Sequence, residues 1–165
     1  MAEIVGAGIE QLETFLADFA SSIEPAERKK MGLKIAAHLQ KARQKTIGAN
    51  VDAEGRAFEP RKKPRARRKR DKVTQLKRSI KQRKMFLRAR NTQYLRKEAT
   101  TGEARVGYVG AMARIMTVHQ EGLEDTVTRD PSSPVAKYAM RRVLGISEAD
   151  NEAIMDIVLE QLAQA

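Results

Sequence analysis

The stretch Tyr94-Leu95-Arg96-Lys97-Glu98-Ala99-Thr100-Thr101-Gly102-Glu103-Ala104-Arg105-Val106-Gly107-Tyr108-Val109-Gly110 decides the fold. Gly102-Glu103 is a turn signal between two arms, Tyr94 to Thr101 and Arg105 to Val109. In the second arm Val106 and Tyr108 share a face, alternating with Arg105, Gly107 and Val109, which is the period of a half-buried strand. The stretch therefore predicts a β-hairpin that Gly110 ends. Downstream, Ala111 to Gln120 reads as a helix with Ile115 and Val118 inward, stopped by Gly122. Thr126-Val127-Thr128 and Val135 to Met140 are short strand candidates around a Pro131-Ser132-Ser133-Pro134 turn. Ser147 is a good N-cap for a last helix, with Glu148 and Asp150 in its first turn and Ile154, Ile157, Val158 and Leu162 on its buried face.

Upstream of the hairpin the period becomes helical. Ile9, Leu12, Phe15, Leu16 and Phe19 recur at helix spacing, and Ser21-Ser22 breaks the pattern. Pro25 suits the first turn of a second helix, where a missing N–H costs nothing. The apolar line Met31, Ile35, Leu39, Ala42 carries that helix to about Ile47, and Gly48 offers the stop. Asp52 to Pro60 reads as a loop. The fold class is α+β: a small antiparallel β-sheet packed with N-terminal and C-terminal helices, with a long basic extended arm or hairpin between them. The division is one domain, with N-terminal helices over 1–50, a basic arm over 51–90, and an α+β core with the C-terminal helix over 91–165.

Charge sets the arm apart. From Arg56 to Lys97 nineteen Lys/Arg face two acids, Glu59 and Asp71, whereas the rest of the chain carries 13 basic residues against 19 acidic; the two parts give the net +11. Arg61, Lys62, Lys63, Arg65, Arg67, Arg68, Lys69, Arg70 and Lys72 form its densest run, nearly free of apolar residues and broken by Pro60 and Pro64. Such a run repels itself and has little to bury, which predicts disorder or extension in the free protein. From Val73 to Arg90 a weak helical pattern returns through Leu76, Ile80, Phe86 and Leu87, ringed by Lys77, Arg78, Lys81, Arg83 and Lys84. A solvated, solubilising loop is the plain reading of the arm. Its charge is denser than solubility requires, which favours contact with phosphates or an acidic protein surface. Base-specific readout is not implied, since no aromatic side chain interleaves the cations before Phe86.

The composition narrows the remaining possibilities. Aromatic residues make up 4% of 165 residues, with no Trp and no Cys. Disulfides, thiolate metal sites and cysteine nucleophiles are excluded, and a core built from Leu, Ile, Val, Ala and Met leaves a thin margin that assembly with other subunits would widen. No apolar run approaches the roughly 20 residues that span a bilayer, and Met1-Ala2-Glu3-Ile4 lacks the opening of a signal peptide. The expectation is a soluble, unexported protein with no membrane partner. The two histidines, His38 and His119, read as structural, beside an apolar line and in a last helical turn. No nucleotide-binding, zinc-protease or nucleophile-elbow motif occurs, so the chain reads as a non-enzyme without cofactor or metal.

Several segments, taken in order, resemble the phage virion morphogenesis family, the tail-completion proteins of contractile-tailed phages, including Mu-like ones. They are Gly55-Arg56-Ala57-Phe58-Glu59-Pro60-Arg61, then Arg105 to Gly110, Ala113-Arg114-Ile115, His119-Gln120-Glu121-Gly122-Leu123, and Tyr138 to Ser147 with the acidic helix that follows. Glu54 stands where Asp is common, and Ala139-Met140-Arg141 where Pro-Ala-Arg is common. The resemblance implies a structural protein of the virion, assembled in the host cytoplasm. It would sit at the head-proximal end of the tail, complete the tail and make it competent to join the head. It further implies a homo-oligomer, a hexameric ring in contractile tails, with tail tube or sheath and head-neck proteins as partners and DNA in the lumen as a non-specific contact. Within the motif Phe58, Pro60, His119, Gln120, Gly122, Tyr138, Arg141, Leu144 and Gly145 are expected to set the fold. The alternative is a non-specific nucleic-acid-binding protein acting through the basic arm.

Overall fold

The computed structural model describes Thr14 and residues 23–60, 84–127, 130 and 132–163. Its elements run α1 (Pro25–Ala49), β1 (Leu95–Ala99), β2 (Ala104–Tyr108), α2 (Ala111–Glu121), β3 (Glu124–Thr126), β4 (Val135–Lys137) and α3 (Glu148–Leu162). The α+β class holds, with two separate antiparallel hairpins in place of one sheet. Apart from Thr14, the first helix expected from Ile9 to Phe19 lies outside the described residues, as does the arm from Arg61 to Lys72.

The hairpin forms as read. Leu95 pairs with Tyr108, Lys97 with Val106 and Ala99 with Ala104. The Thr100 N–H donates to the Glu103 carbonyl at 2.8 Å, and the Thr100 hydroxyl oxygen accepts from the Gly102 and Glu103 N–H groups. Directly paired residues share a face, so Leu95, Ala99, Ala104, Val106 and Tyr108 form one surface. That surface packs on α1, and Leu95 is fully buried.

The buried line of α1 differs from the expected one. It runs Gly32, Ala36, Gln40, Arg43, Ile47, one position on from Met31, Ile35, Leu39 and Ala42, which are only half-buried. The cause is the close approach of helix to hairpin. A Cβ on Gly32 would stand 3.1 Å from that of Ala99, so small residues must occupy the centre and larger ones straddle it. The line then carries two polar residues, and each has a partner. Gln40 Nε2 donates to the Leu95 carbonyl at 2.7 Å, and the Arg43 guanidinium donates to the Asp150 carboxylate on α3. The helix also runs through Gly48. Its stop is Asn50, in the left-handed region at φ 67°, with its N–H on the Ile47 carbonyl. Asn tolerates that conformation because its short side chain bonds locally.

Helix α3 starts at Ser147 through a capping box. The Ser147 hydroxyl accepts the Asp150 N–H, while Asp150 accepts the Ser147 N–H at 2.8 Å and its hydroxyl at 2.7 Å. It runs antiparallel to α1, since Asp150 meets Arg43 and Gln161 Nε2 donates to Glu27 at 2.9 Å. The expected apolar face is present, but Ile154, Ile157 and Val158 are half-buried, and the positions buried most deeply are Asp150 and Gln161. The side chain of Leu162 lies outside the described residues.

Three further expectations shift. Strand β3 begins two residues before Thr126-Val127-Thr128, and Val127 is 57% exposed. In α2 the inward residues are Met116 and Val118; Ile115 is 45% exposed and lines an open cleft beside Val127. Residues 84–90, read as the end of a weak helix, are not helical and turn over 87–90, because Phe86 adopts φ 60° and breaks any helical run; residues 73–83 lie outside the described ones. The main apolar cluster joins Ile47, Phe58, Met85, Ala89, Met116 and Val143, with Phe86, Tyr108 and Met112 packed against it. It therefore sits at the C-terminal end of α1. Among the described residues no helix is long and apolar enough to cross a membrane.

Candidate functional site

The residues quoted for the family resemblance come together where α2 ends. Gly122 takes φ 68° and caps the helix with its N–H on the Val118 carbonyl. A Cβ there would stand 3.1 Å from the Met140 backbone nitrogen, so a side chain would be both strained in conformation and crowded. The early stop frees the side chain of Gln120 to act as a surrogate backbone. Its Oε1 accepts from the Val143 N–H at 2.8 Å and the Leu144 N–H at 3.0 Å, and its Nε2 donates to the Leu144 carbonyl at 3.0 Å. One amide thus fixes residues 143–144 without a strand partner. Leu144 borders a groove with Leu39, Arg43 and Tyr108. Gly145 lies against Ala53, whose Cβ would be 3.1 Å from its own.

Arg141 is 7% exposed and spends its donors on carbonyl oxygens. Nε donates to Glu59 at 2.7 Å, Nη2 to Pro60 at 3.3 Å and Nη1 to Ala139 at 3.3 Å. Nη1 also stands 3.1 Å from His119 Nδ1. A guanidinium can only donate, so Nδ1 accepts and the His119 ring proton sits on Nε2. The Arg141 N–H closes the contact on the His119 carbonyl at 2.6 Å.

Four rings cross the same site edge to face. Phe58 meets Phe86 at 5.6 Å between centroids, Phe86 meets His119 at 4.8 Å, and His119 meets Tyr138 at 5.1 Å. Such pairs contribute about 0.5–1.5 kcal/mol each beyond burial. Phe86, His119 and Tyr138 border a cleft of about 310 Å³, together with Glu59, Pro60, Met85 and Arg141.

The two ends of the basic segment meet here. On the incoming side, residues 51–57 form a tight loop closed by a Val51–Ala57 bridge. Asp52 accepts from the Arg56 N–H and Nε, each at 2.8 Å. Burial alone would push the Asp52 carboxyl up, but these bonds and the Arg56 charge hold it below the usual range. On the returning side, Asn50 Oδ1 accepts from the Met85 N–H at 2.7 Å, and Lys84 Nζ donates to the Gly48 carbonyl at 3.0 Å. Residues 60 and 84 are thus pinned to one knot. Phe86 is held there at positive φ, a strain of about 1–3 kcal/mol that the surrounding contacts must offset.

Phe58, Pro60, His119, Gln120, Gly122, Tyr138 and Arg141 therefore form one constellation, with Leu144 and Gly145 at its edge. Arg61, Lys62, Lys63, Arg65, Arg67, Arg68, Lys69, Arg70 and Lys72 lie outside the described residues. Sequence reasoning missed Asn50 and gave Phe86 to the wrong element. The Asn that follows Gly48-Ala49 was the available signal for the first; nothing local announces a left-handed Phe. Among the described residues no group of three or more His, Asp or Glu could hold a metal ion.

A knot of ordered motif residues, tying both ends of a basic segment to a small α+β body, is the geometry against which relatives can be compared. Over 153 residues the chain is 26% identical to tail completion protein S of Escherichia phage P2, covering 92% of this chain and 95% of that protein. No solved structure matches it. Residues 7–163 match the phage virion morphogenesis family, and the chain belongs to that family.

Proposed function

We propose that this chain is a structural tail-completion protein of a phage virion, acting without catalysis through contacts with other tail and head proteins. The observation that carries the reading is the family match over 7–163, which spans both ends of the basic segment and the knot that pins them. The finer reading places a single-domain chain at the head-proximal end of the tail, as a homo-oligomeric ring of six. The motif residues of the knot fix where the basic segment leaves the body. The run Arg61 to Lys72 makes non-specific phosphate or acidic-surface contacts, which suits DNA that must slide past.

The test is genetic. A phage lacking the chain is expected to accumulate filled heads and unjoined tails, and supplying the chain in trans restores infectious particles. Normal titre without the chain overturns the reading. The arm has its own arm of the experiment. Replacing Arg67, Arg68, Lys69 and Arg70 together with Ser should leave the fold intact, flatten the salt dependence of polyanion binding and lower head joining. Normal titre from that variant reduces the run to a solubilising loop.

A further inference from the structure

The outer edge of β2 is open. In an antiparallel pair, residues that exchange hydrogen bonds alternate with residues whose N–H and C=O groups point away from the partner strand. The Thr100 N–H donates to the Glu103 carbonyl and the Val109 N–H to the Tyr94 carbonyl, so by register Arg105 and Gly107 also bond β1. Ala104, Val106 and Tyr108 therefore turn their backbone groups outward. Among the described residues no third strand adjoins β2, and no backbone group pairs with these. A groove of about 510 Å³ runs along the whole of β2, bordered also by Leu144, Gly145 and Ile146. Ile146 is 56% exposed and Val109 39% exposed. An unpaired strand edge beside such a groove is a template for an added strand.

Charge on the hairpin face turned away from α1 selects the side chains of that strand. There Arg96 lies opposite Gly107, and Glu98 opposite Arg105. Glu98 and Arg105 balance one another across the strands, and Arg105 is held further by Glu103 at 2.7 Å. Arg96 has no such balance. Its cross-strand neighbour has no side chain, and a Cβ on Gly107 would meet nothing within 4 Å. Among the described residues Arg96 joins no ion pair. The residue of an added strand that lies opposite Gly107 fills this space beside Arg96, and a carboxylate there gives the guanidinium its counter-charge.

We propose that β2 accepts, as a third strand, an extended segment of another virion protein with Asp or Glu opposite Gly107. No described strand of a second copy fits. β2 itself contains no acid, and two β2 edges centred on Val106 would set Arg105 of one opposite Gly107 of the other, beside Arg96, so that like charges meet. The outer edge of β1 is taken, because the Leu95 N–H donates to the Asn91 carbonyl and the Leu95 carbonyl accepts from Gln40 Nε2. β4 contains no acid, and β3 is three residues long with its Asp125 held by Arg114. The proposal rests on the tail-completion reading, which supplies the other virion proteins, and deepens it by naming the surface and the chemistry they meet.

The first test needs no partner. In the free full-length chain the amides of Ala104, Val106 and Tyr108 should exchange at least about tenfold faster than those of Arg105 and Gly107. Equal protection means that the chain covers its own edge, and it overturns the proposal. The second test is made in phage-producing cells. Ile146 is replaced with the photo-cross-linker p-benzoylphenylalanine, and the cross-linked peptides are identified by mass spectrometry. An Asp- or Glu-bearing peptide of another virion protein is expected. A peptide of this chain or of a host protein, or none, overturns the proposal. Arg96→Glu, at an exposed position, should cut the yield at least about tenfold, and changing the acid of the captured peptide to Lys should restore it. Val106→Pro should also cut it, because the lost N–H points away from β1 and the ladder to β1 survives. A yield indifferent to Arg96→Glu overturns the proposal even if Val106→Pro fails to fold. The tail-completion reading is judged separately, by head joining in the phage that lacks the chain, so the two can fail independently.

Discussion

The knot at the end of α2 and the seam between α1 and α3 are both held by buried polar side chains, yet they are built on different principles. In the knot, Gln120 and Arg141 bond mostly to backbone groups, and their geometry is fixed by chain direction. In the seam, Arg43 and Asp150 are 3% exposed each and bond to one another, with His38 Nε2 at 3.4 Å and the Ser147 cap filling the remaining acceptor sites. Arg43 still leaves Nε and Nη1 without an acceptor among the described residues. A side chain that satisfies backbone groups has no apolar substitute. A buried ion pair often has one, because removing both charges also removes the cost of desolvating them.

The largest expected effect breaks the seam. Asp150→Ala leaves the Arg43 guanidinium buried without its counter-charge and removes half of the capping box. A loss of about 3–5 kcal/mol is expected, read as a fall in the urea midpoint with an unchanged slope. Arg43→Met with Asp150→Leu should recover most of that loss, since two apolar side chains fill the space and no orphan remains. A double variant as unstable as Asp150→Ala would mean that the pair itself, and not the balance of charge, holds the seam.

The knot should respond in the opposite way. Gln120→Met keeps the length of the side chain but orphans the N–H groups of Val143 and Leu144 and the Leu144 carbonyl. A loss of about 3 kcal/mol or more is expected, because three groups are orphaned at about 1–3 kcal/mol each and Val143 is buried. No apolar partner substitution should rescue it, because the unsatisfied groups belong to the backbone. Hydrogen exchange at Val143 and Leu144 is the sharper probe, and protection there unchanged in Gln120→Met would show that the amide is not what fixes this segment.

The same contrast explains what could be read in the sequence. The hairpin was legible because a Gly-containing turn and period-two alternation act locally, and Ser147 was legible because capping acts over three residues. The knot's members were legible as ordered segments, although not as neighbours. Residues 58–60 and 138–145 meet only through folding, and Phe86 joins them by a backbone conformation that no local rule favours for an aromatic residue. The seam was illegible for a packing reason. The apolar pattern of α1 marks its most hydrophobic line, but the hairpin approaches so closely at Gly32 that the buried line moves by one residue and takes in Gln40 and Arg43. Asp150 was read as a first-turn acid favoured by the helix dipole, which is only one of its roles.

The smallest expected effect separates the two regions by pH. Burial alone would push the Asp150 carboxyl up, but the Ser147 bonds, the Arg43 charge and the His38 contact outweigh it and leave the group below its ordinary value of 3.8. A carboxyl whose folded pKa is depressed stabilises the fold fully above the unfolded pKa, and that contribution is lost as pH falls through the folded pKa. Wild-type stability should therefore decline as pH falls from the ordinary carboxylate range through the lower folded value, in part through this group. Asp52, Asp125 and Asp130 are depressed as well and add to the decline. They are shared by wild type and the Arg43→Met, Asp150→Leu variant, so the difference between the two acid limbs isolates the seam. The variant should show the shallower limb, whereas Gln120→Met, which removes no titrating group, should run parallel to wild type at lower stability throughout. Parallel limbs for wild type and the double variant would place the acid sensitivity in the other carboxylates and remove the electrostatic distinction between seam and knot.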